Sequence, residues 1–84
     1  MEYSQEDVTR YMALFGDIIA GEVYFEKRKP QNLNLGEAID RENRARFTLE
    51  SIRKYRAEVP RAIRAKLCFD LVGLERKCRT EIKK

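Results

Sequence analysis

Two prolines, Pro30 and Pro60, punctuate this chain, and each stretch around them repeats apolar residues at helical spacing. Proline lacks an amide hydrogen and crowds the residue before it, so a helix stops or kinks there. Three amphipathic segments divided in this way have few stable solutions, because each stripe must be buried against the others. The expected fold is all-α: a three-helix bundle, or a helical hairpin plus a third helix, with helices near residues 5–28, 35–58 and 61–82. At 84 residues the chain is one helical domain, 1–84, with residues 30–34 as inter-helix linker.

Local signals support each segment. Ser4 is a good N-cap with Asp7 at the capping-box position, and Tyr3 and Val8 occupy the two places of a hydrophobic staple. The stripe expected to face the core is Val8, Tyr11, Met12, Phe15, Ile18, Ile19 and Val23. Gly16 and Gly21 interrupt this helix and invite either a bend or the close approach of another backbone. The alternation over Glu22–Lys27 is too short for a strand. In the second segment Asn34 is the cap and Glu37 its partner, and Ala38, Ala45, Leu49, Ile52 and Val59 share one face. Phe47 and Tyr55 fall elsewhere, among charges. Pro60 then opens a third helix with the stripe Ile63, Leu67, Leu71, Leu74, Cys78 and Ile82, from which Phe69 points away. The competing arrangement is one long kinked helix from Leu35 to Lys83.

Charge is unevenly spread. Residues 1–26 hold one basic residue, Arg10, against six acids, whereas residues 27–84 hold seventeen basic residues against eight acids. Glu6, Asp17 and Glu22 are candidates for an acidic contact face on the first helix. No run approaches the ~20 apolar residues of a membrane span, and the acidic start does not resemble a secretory signal. A soluble, cytoplasmic protein is the expectation. Cys68 and Cys78, ten residues apart on one expected helix, would lie roughly 15 Å apart, too far for an intrachain disulfide.

The residue inventory argues against catalysis. The chain has no histidine, which removes the commonest general base and transition-metal ligand. Two cysteines alone do not complete a zinc site, and no phosphate-binding glycine loop is present. The expectation is no enzyme, no catalytic residue, no cofactor and no metal.

What remains is surface. Arg41, Arg44, Arg46, Arg53, Lys54, Arg56, Arg61, Arg64 and Lys66 form three basic clusters across Pro60, interleaved with Glu42, Glu50 and Glu58. Arginine suits phosphates and carboxylates alike. The off-stripe aromatics Tyr24, Phe47, Tyr55 and Phe69 supply the other residue type that dominates protein–protein hot spots. The leading expectation is a small non-catalytic binding module, accessory, regulatory or inhibitory. It would dock on a larger protein complex, one that handles nucleic acid included. The alternative is direct nucleic-acid binding through residues 41–66, with Phe47 and Tyr55 stacking bases. A chain this short has a thin core, so a homo-oligomer is a further possibility.

Three segments resemble, in order, the theta subunit of bacterial DNA polymerase III and its phage relative: Asp17-Ile-Ile-Ala-Gly-Glu-Val-Tyr-Phe-Glu-Lys-Arg28, Gly36-Glu-Ala-Ile-Asp-Arg-Glu42 and Glu50-Ser-Ile-Arg-Lys-Tyr-Arg56. The resemblance covers under half of the chain. It implies a small three-helix binding protein for a proofreading exonuclease subunit. The chain departs from that pattern after Glu42, where the family's loop between its second and third helices has no counterpart. It also continues through an amphipathic segment beyond Pro60.

Overall fold

The computed structural model describes residues 3–27, 33–64 and 70–82. They form four helices: α1 (Gln5–Lys27), α2 (Leu35–Glu58), a short α3 (Arg61–Arg64) and α4 (Leu71–Glu81). α2 packs against both α1 and α4, and the molecule measures 50 × 23 × 21 Å.

Caps fix the helix ends. Ser4 Oγ accepts from the Asp7 amide at 3.0 Å. The Asp7 carboxylate turns to Arg10 instead of completing the box. The expected staple is replaced by an edge-on contact of Tyr3 with Tyr11, centroids 6.2 Å apart, and Val8 stays exposed. At α2 the capping box is complete: Asn34 Oδ1 accepts from the Glu37 amide at 2.8 Å, and the Asn34 amide donates to Glu37 Oε1 at 3.1 Å. α2 ends at Glu58, with Val59 extended, and Pro60 opens α3 by accepting from the Ile63 and Arg64 amides. Helices 2 and 3 are therefore separate, as the proline implied.

The third helix is not continuous over 61–82. Asp70 is outside any helix, and α4 starts afresh from it, its side chain accepting from the Gly73 amide at 3.0 Å. Asp70 falls inside the expected helix 61–82, and a free helix end offers its carboxylate more than a helix interior does. The part of that stripe at Leu67 lies outside the described residues. Farther on, Leu74 and Cys78 are buried and Leu71 and Ile82 half-buried, as the spacing predicts.

The core of α1 is Leu14, Ile18, Gly21 and Phe25, not the stripe expected from sequence. Of that stripe Ile18 is buried and Tyr11 packs at the core's edge, while Val8, Met12 and Val23 are exposed. α2 contributes Ala45, Ile52 and Val59 as expected, and also Tyr55, which is 2 % exposed. Gly21 marks the crossing of α1 on α2, where a Cβ would run into the Thr48 side chain. Gly16 has nothing within 4 Å of its Cβ position. Thr48 Oγ1 is buried there, with no hydrogen-bond partner among the described residues.

Cys78 is a free, buried thiol. Burial, helped by Glu81 and then Glu75, pushes it up from 9.0 to about 11. That makes it a poor nucleophile at neutral pH. Burial likewise raises the Tyr55 phenol above 10.0, against a smaller opposing pull from Arg64. In the unfolded chain both groups lose their protons earlier, so the native state holds more protons in alkali and stability falls as pH rises. Denaturant titrations should show the loss setting in near pH 9 and continuing to about 11. Cys78→Ala, whatever its absolute stability, should show a shallower slope over that window.

Candidate functional site

The antiparallel hairpin of α1 and α2 brings Tyr24 and Phe47 together around one arginine. The Arg44 guanidinium carbon lies 5.6 Å from the Tyr24 ring centre and 5.8 Å from that of Phe47. Tyr24 also meets the buried Phe25 edge-on at 5.2 Å, which fixes its ring against the core. Phe47 remains 47 % exposed. An open groove of about 520 Å³ is lined by Tyr24, Asp40, Asn43, Arg44 and Phe47. Among the described residues no carboxylate pairs with Arg44. Its charge is held against two aromatic faces, an arrangement that leaves the guanidinium edge for an incoming acceptor.

Most of the other expected contact residues are occupied elsewhere. Arg41 is not on the surface. It is 3 % exposed, donates to both carboxylate oxygens of Glu81 at 2.7 and 2.9 Å, and lies 5.0 Å from the Phe25 ring centre. Tyr55 is also a core residue, not a contact. Arg56 pairs with Glu75 across the α2–α4 seam at 2.6 Å. Arg46 and Arg53 pair along α2 with Glu42 and Glu50; Glu50 takes Arg53 and not Lys54. Arg64 donates to the Val59 carbonyl at 3.1 Å. Lys54 and Arg61 are exposed and make no ion pair among the described residues. Lys66 and Phe69 lie outside the described residues.

The acidic trio does not form one face. At ~100° per residue, Glu6 and Asp17 share a flank of α1, and Glu22 lies about 140° from Asp17. Among the described residues none of the three makes an ion pair with the basic body. The pair between α1 and α2 instead runs the other way, from Arg10 Nε to Glu58 at 3.0 Å. Among the described residues, then, the acids of this trio are not neutralised by ion pairs with the basic body.

Sequence reasoning named Tyr24, Arg44 and Phe47 but did not join them. Tyr24 and Arg44 are twenty residues apart, and only the antiparallel register of the hairpin brings them together. Asp40 and Asn43, which complete the groove, gave no signal beyond their helical spacing from Phe47. No group of three or more potential metal-ligating side chains occurs among the described residues, and none of their helices is long and apolar enough to cross a membrane. No family model matches the chain, and no curated protein or solved structure matches it either. The likeness to the theta family therefore rests on its three segments alone.

Proposed function

We propose that the protein is a small, non-catalytic binding module, accessory, regulatory or inhibitory in role, that docks on a larger protein through the Tyr24–Arg44–Phe47 patch. The observation that carries this reading is the exposed Phe47 ring beside an arginine stacked on two aromatics. Aromatic residues and arginine are the types enriched where interfaces concentrate their energy. The patch sits on two long helices and is held from below by Phe25, so little order remains to be imposed on binding. Direct nucleic-acid binding is less well supported. Arg41, Arg46, Arg53 and Arg56 already hold carboxylates, which lowers the charge available to phosphates.

Affinity capture from the native host at physiological salt tests the proposal. The wild-type chain should retain a protein partner in stoichiometric amount. Phe47→Ala and Arg44→Glu should each weaken that complex by at least about 30-fold, the loss typical of a hot-spot residue, while shifting stability by less than about 1 kcal/mol, as surface changes do. Absence of such a partner, or its full retention by both variants, would sink the reading. A salt-sensitive mobility shift of DNA or RNA without any protein partner would favour the alternative.

A further inference from the structure

The pairing of charges along α2 leaves two groups over. Among the described residues, four of its five arginines hold carboxylates: Arg41 that of Glu81, Arg46 that of Glu42, Arg53 that of Glu50 and Arg56 that of Glu75. The acids of α2 are engaged in the same way. Glu37 closes the capping box, Glu42 and Glu50 take arginines of α2 itself, and Glu58 takes Arg10. Among the described residues, the arginine left without a carboxylate is Arg44, and the acid left without a hydrogen bond or ion pair is Asp40. Both line the same groove, beside Tyr24, Asn43 and Phe47.

The two do not meet each other, although their spacing allows it. Asp40 and Arg44 stand four residues apart with the acid first, the order that favours a pair along a helix. Glu42 and Arg46, at the same spacing and in the same order, close to 2.6 Å. Arg44 is held instead against the rings of Tyr24 and Phe47, and Asp40 stays exposed. The groove therefore presents a positive and a negative charge about 6 Å apart along α2, and its lining residues carry no net charge. A polyanion gains little here, because Asp40 repels the phosphates that Arg44 attracts. The complement of such a surface is the reverse pair, an acid facing Arg44 and a base facing Asp40.

Resting on the docking function proposed above, we infer that the partner protein's segment in this groove carries an acidic side chain for Arg44 and, about 6 Å along, a lysine or arginine for Asp40. On a partner helix those two residues are three or four apart. The Arg44 fork, backed by two rings, takes the carboxylate through paired N–H donors, and the exposed Phe47 ring packs on the apolar stem beside it. The order of the charges also fixes the partner's direction. A segment turned end for end would set like charges together, acid on Asp40 and base on Arg44, and would be rejected.

Capture of the partner on the full chain at increasing bait concentration reads the effect as a change in affinity. Asp40→Asn should weaken the complex about fivefold, the loss of one exposed ion pair. The exchange of Asp40→Arg with Arg44→Asp, which leaves the net charge unchanged, should weaken it about 100-fold or more, because both contacts then oppose like charges. Asp40 is exposed, so the melting temperature of Asp40→Asn should stay that of the wild type. Exchanging the acid and the base of the captured partner should restore binding to the exchanged chain and not to the wild type. A partner that is lost with Phe47→Ala but binds Asp40→Asn as tightly as the wild type would overturn the proposal and leave the docking function standing. Capture of no partner at all would overturn both. Tighter binding by Asp40→Asn would place an anion over Arg44 with no base beside it, and would overturn the proposal too.

Discussion

Glu81→Ala should cost about 3–5 kcal/mol, because it leaves the Arg41 guanidinium buried without a counter-charge. Arg41 and Glu81 are 4 % and 15 % exposed at their side chains, and water cannot readily replace the lost carboxylate. A domain of this size is stable by roughly 5–10 kcal/mol, so much of its margin would be lost. Urea denaturation should show the midpoint falling with little change in slope. Arg41→Met together with Glu81→Leu should recover most of the stability or exceed the wild type, since apolar side chains avoid the desolvation cost of the pair. If Glu81→Ala unfolds at the wild-type midpoint, the pair is solvated in solution and does not tie α4 to α2.

The two glycines of α1 should respond in opposite directions to the same substitution. Gly16→Ala should stabilise the fold by about 1 kcal/mol, the ordinary gain of alanine over glycine in a helix, because its Cβ would enter open space. Gly21→Ala gains the same propensity but drives a methyl group into Thr48. Overpacking of this kind costs about 1–3 kcal/mol, and Gly21→Leu should cost more still. Thr48→Ala should rescue Gly21→Ala in part, because it removes the two nearest atoms and leaves only Cβ, 3.0 Å away. Thermal melts of the four variants would decide the matter. Equal shifts for the two glycines would mean that the crossing at Gly21 is looser than described.

The sequence exposed the helices better than their faces. Asn34 with Glu37, and Pro60 after Val59, are short-range signals whose chemistry does not depend on the rest of the fold, and both ends of α2 follow from them. The core face of α1 was not legible, because the helix has two apolar rows. The exposed one, Val8 to Val23, carries four apolar side chains, while the buried one runs through Gly21 and packs on Thr48, residues whose hydropathy does not announce a core. Arg41 and Tyr55 were misplaced for a related reason. A charged or phenolic side chain reads as surface until its partner is known, and Glu81 lies forty residues from Arg41. Asp70 could have been read as a cap. An Asp three residues before Gly73 is a fair N-cap signal, but the stripe continuing from Leu67 to Leu71 outweighed it. Of the candidate site, the residue types were visible and their meeting was not, since that depends on the hairpin register.

The burial of Cys78 on α4 gives the molecule a reporter of its own partial opening. α4 is held to α2 through Leu74, Cys78 and the carboxylates of Glu75 and Glu81, and it is a single helix of eleven residues. Local detachment of such an element is generally cheaper than global unfolding. The thiol, fully covered in the closed state, becomes reachable when α4 lifts away. In a Cys68→Ser background, the rate at which a thiol reagent modifies it under native conditions, compared with the rate in the unfolded chain, therefore measures the free energy of that excursion. One atom thereby separates the breathing of the short helix from the melting of the whole protein.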